Sequence, residues 1–451
     1  MSAESVAARI DWVDPADLFR AGPARASHAF WLDAGPDART GWSWMGIGEP
    51  AGLPTDIPLQ QRETGSIPGG FAGGWVGWAG YDGAAATAGA PATSDGLAPD
   101  RAALAVRRLV AFDHAARSAW LIAPQTELTD ARAQLDVWRA RLADLAAGPA
   151  AQASVRIASA RHAPDDYVDL IERCRGAIRA GDAYQLCLTT RFELAADAAA
   201  PIDPVAVYLR LRDAQPAHHG GYIRVGDHAL LSASPEQFLH VADGIVRTRP
   251  IKGTRPRGAD AVADAALAHE LVESVKERAE NVMIVDLMRN DLQRVCLPGT
   301  VAAERLLEVE SYPAVHQLVS TVAGRLRDGV TLGELLDAAF PAGSMTGAPK
   351  LSAMTILHSL EGAARGVYAG CFGWVGRGGR VDLAMTIRSI VVHPGGAYVG
   401  AGGGITWLSD PADEVAEVAV KARGPLAALG VALPPEWAAG EGAGGDPAAV
   451  R

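Results

Sequence analysis

Residues 367–405 read VYAGCFGWVGRGGRVDLAMTIRSIVVHPGGAYVGAGGGI. Three apolar runs stand out, Val367 to Val375, Val381 to Val392 and Ala397 to Ile405, and each reads as a strand. Successive strands with no helix between them pair antiparallel, because a parallel pair needs a long crossover. Further strands are expected at Leu186 to Phe192, Gly221 to Leu231 and Phe238 to Arg247. Helices are expected from Pro164 to Arg179 with Gly181 as the stop, from Ala261 to Asn281 with an apolar continuation over Val282 to Leu287, and from Met354 to Leu360. A last helix starts at Asp410-Pro411, a capping carboxylate followed by proline at the first helical position. Strands in groups, rather than strict βαβ alternation, indicate an α+β fold with antiparallel sheets.

The N-terminal residues 1–145 show short apolar runs broken by glycine. Gly74 to Tyr81 alternates small and large residues, as in a strand closely approached by its neighbours. Val106 to Ala123 reads as two strands around a turn near Asp113-His114. A surface linker is expected at 146–151. Residues 146–433 then form the main region, and 434–451 read as a disordered, Gly/Ala/Glu-rich tail.

The chain has 451 residues, 49% of them hydrophobic, enough for a large core. Its net charge of -11 argues against general binding of nucleic acid or anionic membrane, so an anionic substrate needs a local cationic site. Cys174, Cys187, Cys296 and Cys371 form no CxxC pair and read as free thiols in a reducing compartment. The N-terminus has no apolar signal region and no run reaches membrane-spanning length, so a cytoplasmic location is expected.

One cationic run is Arg249-Pro250-Ile251-Lys252-Gly253-Thr254-Arg255-Pro256-Arg257-Gly258, with three arginines inside ten residues. Neighbouring cations favour the neutral form of an amine, which can act as nucleophile or base. The alternative is a basic surface loop. Glu236, in Ser234-Pro235-Glu236-Gln237-Phe238, precedes Lys252 by sixteen residues, a spacing that suits two neighbouring strands and a proton partner. Glu270, Glu273, Glu277 and Glu280 share one helical stripe, of which the first two read as a solvated face. Glu414 and Glu417 lie one turn apart on the last helix, with Lys421 placed to pair with Glu417. Carboxylates from two helices could converge on magnesium, whereas no His/Cys spacing suggests zinc.

Gly400-Ala401-Gly402-Gly403-Gly404-Ile405 could present backbone amides to an anion, or form a bulge or tight turn. Gly343 to Lys350 mimics a phosphate loop but has Pro349-Lys350 where Lys-Ser/Thr is required, so nucleoside triphosphate binding is rejected. Arg388 could clamp a carboxylate or be a surface arginine. His316, among apolar neighbours, reads more readily as structural than catalytic.

Taken together, Ser234-Pro235-Glu236, Pro250 to Thr254, Arg278 to Asn281 with Asp286 to Asp291, His316 to Leu318, Gly347 to Lys350, Ile387-Arg388 and Gly402 to Ile405 resemble the chorismate-utilising enzymes. The resemblance is strong over residues 160–430 and weaker before them. It implies two facing antiparallel β-sheets with surrounding helices. Lys252 aligns the chain with the aminodeoxychorismate synthase branch, because anthranilate synthases usually carry alanine there. The resemblance then implies amination of chorismate at C4 through a lysine adduct at C2. Glu236 matches the general acid/base, and His316 a histidine close to the leaving hydroxyl. Glu280 and Glu417 match magnesium ligands, with Glu277 and Glu414 beside them. Arg388, Tyr368, Thr346, Gly402, Gly403 and Gly404 match the substrate-binding set. Anthranilate synthesis, isochorismate formation with water and a non-catalytic subunit are the alternatives.

No cysteine sits in the Gly-x-Cys-x-Gly setting of a glutamine amidotransferase, so ammonia is expected from a separate subunit in a heterodimer. A separate lyase would convert the product to 4-aminobenzoate. Trp31-Leu32-Asp33-Ala34 departs from the signature of tryptophan-regulated relatives, so tryptophan feedback is not expected. Cys187 stands where relatives often have asparagine.

Overall fold

The quoted stretch folds as four strands rather than three, Cys371–Gly376, Val381–Met385, Ser389–His393 and Gly396–Ile405. They belong to a computed structural model that describes residues 4–60, 67–145, 156–312 and 315–438. The run expected to be one strand from Val381 to Val392 is split at Arg388, which takes a left-handed φ of 51°. Val381–Met385 pairs within one sheet and Ser389–His393 within the other, so the chain turns a corner between them. Periodicity missed the corner because each half is buried in its own sheet and both read as apolar.

Two more expected strands are hairpins. Gly221 to Leu231 divides into His219–Val225 and His228–Ser234 around Gly226-Asp227. Phe238 to Arg247 divides into Gln237–Ala242 and Ile245–Thr248 around Asp243-Gly244, whose φ values of 53° and 74° suit a two-residue hairpin turn. The Asp113–Ser118 turn and the Gly74–Ala79 strand fall where expected.

Among the described residues the strands make a twelve-stranded and a ten-stranded sheet, antiparallel throughout, beside one short parallel pair. The N-terminal residues are woven into both sheets. His28–Asp33 pairs with His219–Val225, and Gly74–Ala79 pairs with Cys371–Gly376. Phe30, Ile223 and Leu230 of the larger sheet meet Val76, Leu104 and Phe238 of the smaller one in a shared core. Helices Pro164–Ala180, Pro204–Ala214 and Pro411–Leu429 cover the other face of the larger sheet through Tyr167, Tyr208 and Val418. All four cysteines are buried and free. Among the described residues no helix is long and apolar enough to cross a membrane.

The helix expected from Ala261 to Asn281 is two helices, Ala261–Glu273 and Val275–Gln293, parted at Ser274. Ser274 Oγ accepts from the Glu277 amide at 3.4 Å, an N-cap written in the sequence as Ser-x-x-Glu and overlooked inside a continuous helical pattern. The break separates the exposed Glu270 and Glu273 from Glu277 and Glu280, and only the second pair turns inward. The expected linker at 146–151 lies outside the described residues, as do residues 439–451 of the expected tail.

Ordered chain nevertheless continues past residue 434. Pro435–Ala438 is a short helix whose Trp437 is 3% exposed, packed on Phe192 and Tyr167 with Nε1 donating to the His162 carbonyl at 3.0 Å. Emptying that site in Trp437→Ala is expected to cost about 3 kcal/mol by loss of buried aromatic surface. Urea denaturation checks this, and an unchanged midpoint would show that the docking does not stabilise the fold.

Candidate active site

Lys252 lies on the strand Ile251–Pro256 of the smaller sheet. Ile251 pairs with Val319 and Thr254 with Gln317, so three steps on one strand oppose two on the other. The extra residue is a bulge at Lys252-Gly253, with Gly253 at φ 81°, and such bulges re-aim a side chain. Glycine is also required by space, because a Cβ there would stand 2.7 Å from Leu271 Cδ1 and 2.9 Å from Glu277 Oε2.

The arginines around Lys252 are each ion-paired. Arg249 pairs with Glu310, Arg255 with Glu270 at 3.1 Å and Glu277 at 3.7 Å, and Arg257 with Asp264 at 2.6 Å. Each of the three arginines thus has a carboxylate partner of its own. The acidic side chains that feel the Lys252 charge are Glu236, Glu280 and Glu417.

Glu236 reaches this group through the hairpin His240↔Arg247, extended by a bond from the Arg249 amide to the Gln237 carbonyl at 3.3 Å. The strands Gln237–Ala242 and Ile251–Pro256 are not hydrogen-bonded neighbours in the sheet, contrary to the spacing argument, yet the Glu236 carboxyl lies within electrostatic reach of Lys252. Its side chain is buried, with Oε1 accepting from Ser344 Oγ at 2.9 Å. Burial pushes its carboxyl up to about 7, against the opposing pull of Lys252, the Ser344 bond and Lys421.

The facing wall is Gly396–Ile405 of the larger sheet. Its glycines are neither loop nor bulge, since Leu186 to Ala195 pairs with Ile405 to Gly396 residue for residue. Lys252 Nζ lies 3.6 Å from where a Cβ on Gly404 would stand, and the buried Gln185 carboxamide packs against the same point. A Cβ on Gly403 would stand 2.7 Å from Glu414 Oε2, and one on Gly400 would enter the Tyr368 ring. The Gly402 carbonyl accepts from Lys421 Nζ at 2.8 Å, so this peptide faces away from the paired strand. By the period of two, the amides of Gly402 and Gly404 face that same open side.

Two helices close the cleft with carboxylates. Glu280 comes from Val275–Gln293, and Glu414 and Glu417 come from Pro411–Leu429. Burial pushes Glu280 up to about 7, opposed by Lys252 and Lys276 and reinforced by Glu277 and Glu414. Burial and then Glu417 raise Glu414. Burial also acts to raise Glu417, but Lys421 at 2.6 Å prevails and holds it below the usual range. Glu417 stands among many protein atoms yet keeps 49% of its side chain open to water, as befits a cleft wall. Lys276 joins the two helices through Glu414 at 3.4 Å.

Among the described residues no three His, Cys, Asp or Glu side chains form a ready cage for an ion. The donor set still fits a hard divalent cation. It is all oxygen, drawn from two helices, and buried carboxylates that raise one another are in the state such a cation would relieve.

Arg388 stands at the corner between the sheets, within electrostatic reach of Glu417 and Tyr368. Burial pushes it down, and among the described residues its guanidinium has no ion pair. Such a group suits a carboxylate ligand. Tyr368 is buried, and burial raises its hydroxyl. Thr346 is buried too, but its hydroxyl donates back to the Ala342 carbonyl at 3.2 Å and is not presented as a free group. His316 is likewise engaged, with Nε2 2.9 Å from Asp264 Oδ1 and Nδ1 2.8 Å from Ser311 Oγ. Both ring nitrogens brace the strand Val315–Arg325, so its geometry favours the structural alternative.

Sequence reasoning passed over Ser344, Gln185 and Lys276. The signal for Gln185 was an amide inside an apolar strand run, and its Oε1 is buried without a partner. Ser344 sits in the Gly343 to Lys350 stretch, where attention went to the phosphate-loop spacing, to Thr346 and to the Gly347 to Lys350 motif. Lys350 of that stretch is spent on Asp291 at 2.6 Å, which agrees with the rejection of triphosphate binding. A cavity of about 410 Å³ lined by Pro235, Gln237, Arg249 and Ile251 is a separate space, since neither Glu236 nor Lys252 lines it.

Residues 47–427, which include both sheets' central strands and every carboxylate of the cleft, match the family model described as chorismate binding enzyme. A Streptomyces griseus protein named aminodeoxychorismate synthase is 41% identical over 414 residues, 88% of this chain and 54% of its own length. The chain thus spans about half of that relative. Anthranilate synthase component 1 of Streptomyces coelicolor is 40% identical over 392 residues, 82% of this chain and 75% of its own length. The crystal structure of anthranilate synthase component I from Streptococcus pneumoniae matches with a TM-score of 0.71 at 28% identity, covering 94% of this chain and 92% of that one. The family's pair of facing antiparallel sheets, expected from the motifs, is the fold observed, and the chain belongs to the chorismate binding enzymes.

Proposed function

We propose that this chain aminates chorismate at C4 to give 4-amino-4-deoxychorismate. Overall identity does not choose between the two synthases, at 41% and 40%. The observation that carries the choice is Lys252 aimed by its bulge into a cleft between Glu236, Glu280 and the Gly404 backbone.

The Lys252 amine forms a bond to C2 of the ring. The ring double bonds shift and the C4 hydroxyl departs, taking the Glu236 proton to leave as water. Ammonia then bonds to C4, the double bonds shift back, and the C2–nitrogen bond breaks to return lysine. Glu236, now anionic, accepts a proton from the incoming ammonia. A carboxyl held near 7 is poised for both directions. Arg388 and the Gly402 and Gly404 amides orient the substrate's carboxylates. Glu280 and Glu417 would hold magnesium, with Glu277 and Glu414 beside them. The ion would supply positive charge at the ring carboxylate.

Ammonia is assigned to a separate amidotransferase subunit. Each thiol here is buried and raised, Cys174 and Cys371 to about 12, the reverse of an activated nucleophile.

Three outcomes test this reading. Chorismate, ammonium and magnesium incubated with the chain should yield aminodeoxychorismate by mass and absorbance. Anthranilate with pyruvate would transfer the chain to the other synthase branch. Lys252→Ala should lose most C4 amination, and unchanged turnover would remove the covalent role. Glu236 and Glu280 both rise from 4.5 to about 7, so the folded chain keeps protons that the unfolded chain releases between those values. Their contribution to stability therefore falls as pH rises through that window. Magnesium requires ionised carboxylates, so it should raise the melting temperature more at pH 7.5 than at pH 5.5. Glu280→Gln should remove that difference, and a magnesium effect untouched by it would overturn the ligand assignment.

A further inference from the structure

Strand Gln185–Ala195 has a gap along one edge. Gly347-Ala348 pairs with Leu186-Gln185 at one end and Ser159-Ala160 with Glu193-Phe192 at the other. Between them, two side chains take the place of a neighbouring strand. Glu361 Oε1 accepts from the Thr189 amide at 2.9 Å and from Thr189 Oγ1 at 3.0 Å. Arg365 Nη2 donates to the Cys187 carbonyl at 2.8 Å. The two are themselves a bidentate pair, with Nε to Oε2 at 2.8 Å and Nη2 to Oε1 at 2.6 Å, and the guanidinium lies over the Tyr81 ring. Both side chains are at least 95% buried.

One donor of Arg365 does something the strand does not need. Nη1 donates to the Met345 carbonyl at 2.7 Å. Met345 lies in the four-residue helix Gly343–Thr346, which has no side-chain cap. Its neighbour Ser344 is the residue that donates to Glu236 Oε1. The Ser344 bond engages Oε1 alone, and among the described residues no hydrogen bond reaches Oε2.

We propose that Arg365 is a positioning residue for Glu236. It anchors the Met345 carbonyl, which fixes the Ser344 hydroxyl, which in turn occupies Oε1 and leaves Oε2 for the substrate. Glu361 holds the Arg365 fork in the required plane. This rests on Glu236 being the proton donor of the proposed reaction.

A double-mutant cycle on the intact chain, with chorismate, ammonium and magnesium, tests it. Glu236→Gln comes first, because an undiminished rate there would sink the acid role itself. With that role in place, Ser344→Ala and Arg365→Lys should each lower kcat about tenfold, part of the roughly 10²–10⁴ that a positioned acid supplies. The KM for chorismate should stay within about twofold, since neither residue binds substrate. The double variant should be no more than about twofold worse than the poorer single one, because both act through one bond. In both single variants the pH inflection of kcat should move to higher pH, since the Ser344 bond lowers Glu236. Multiplicative losses, or an inflection that stays put in Arg365→Lys, would overturn the proposal and leave Arg365 as an edge brace. Should Arg365→Lys fail to fold on thermal melting, Thr189→Val carries the test. It keeps shape and removes only the hydroxyl donor to Glu361. Its smaller kcat loss should vanish in the Ser344→Ala background, and persistence there would overturn the proposal.

Discussion

Carboxylates gathered in one partly buried cleft repel one another, and the architecture around this cleft can be understood as the management of that repulsion. Glu236, Glu280, Glu414 and Glu417 face a space they share with Lys252, Lys276 and Lys421. Burying like charges costs far more than any one surface ion pair returns, so each carboxylate keeps a cation within reach or a proton. Lys421 holds Glu417 low, whereas Glu236, Glu280 and Glu414 rise, the last despite its pairing with Lys276. That division produces an acid near neutrality and a set of oxygen donors in one place. It also leaves Lys252 as the cation without a close carboxylate of its own among the described residues.

The two sheets make such crowding possible. Each supplies one wall, and neither wall could be built from its own sheet alone. The glycines of Gly396–Ile405 lower one wall so that Tyr368, Glu414 and Gln185 can approach the backbone. On the other wall a one-residue bulge turns Lys252 inward. Between the walls the chain crosses from sheet to sheet at Arg388, which puts a guanidinium at the boundary. Behind both, the Glu361–Arg365 pair joins the larger sheet to the short helix that touches Glu236.

Much of this was legible in the chain. Pattern and punctuation located most of the strands, the antiparallel class and the capped final helix. The motifs named Glu236, Lys252, Glu280, Arg388, Glu414 and Glu417, and these lie around one cleft. What residue type and spacing left open has a common origin. Three arginines lie near Lys252 in sequence, but charge in sequence is not charge in space, and each arginine has its own carboxylate. His316 matched a motif, while its ring is held on both sides by Asp264 and Ser311. Ser274 ended one helix and began another inside an unbroken apolar period.

The sequence by itself determined which segments are apolar, where glycine permits close approach, and which ionisable residues are available, because these depend on residue type and local spacing. Tertiary structure alone decided which face each charge meets. Partners such as Ser344 with Glu236 are separated by 108 positions, and Arg365 with Cys187 by 178. No local rule reaches that far, since such contacts exist only once two sheets have closed and solvent has been excluded between them.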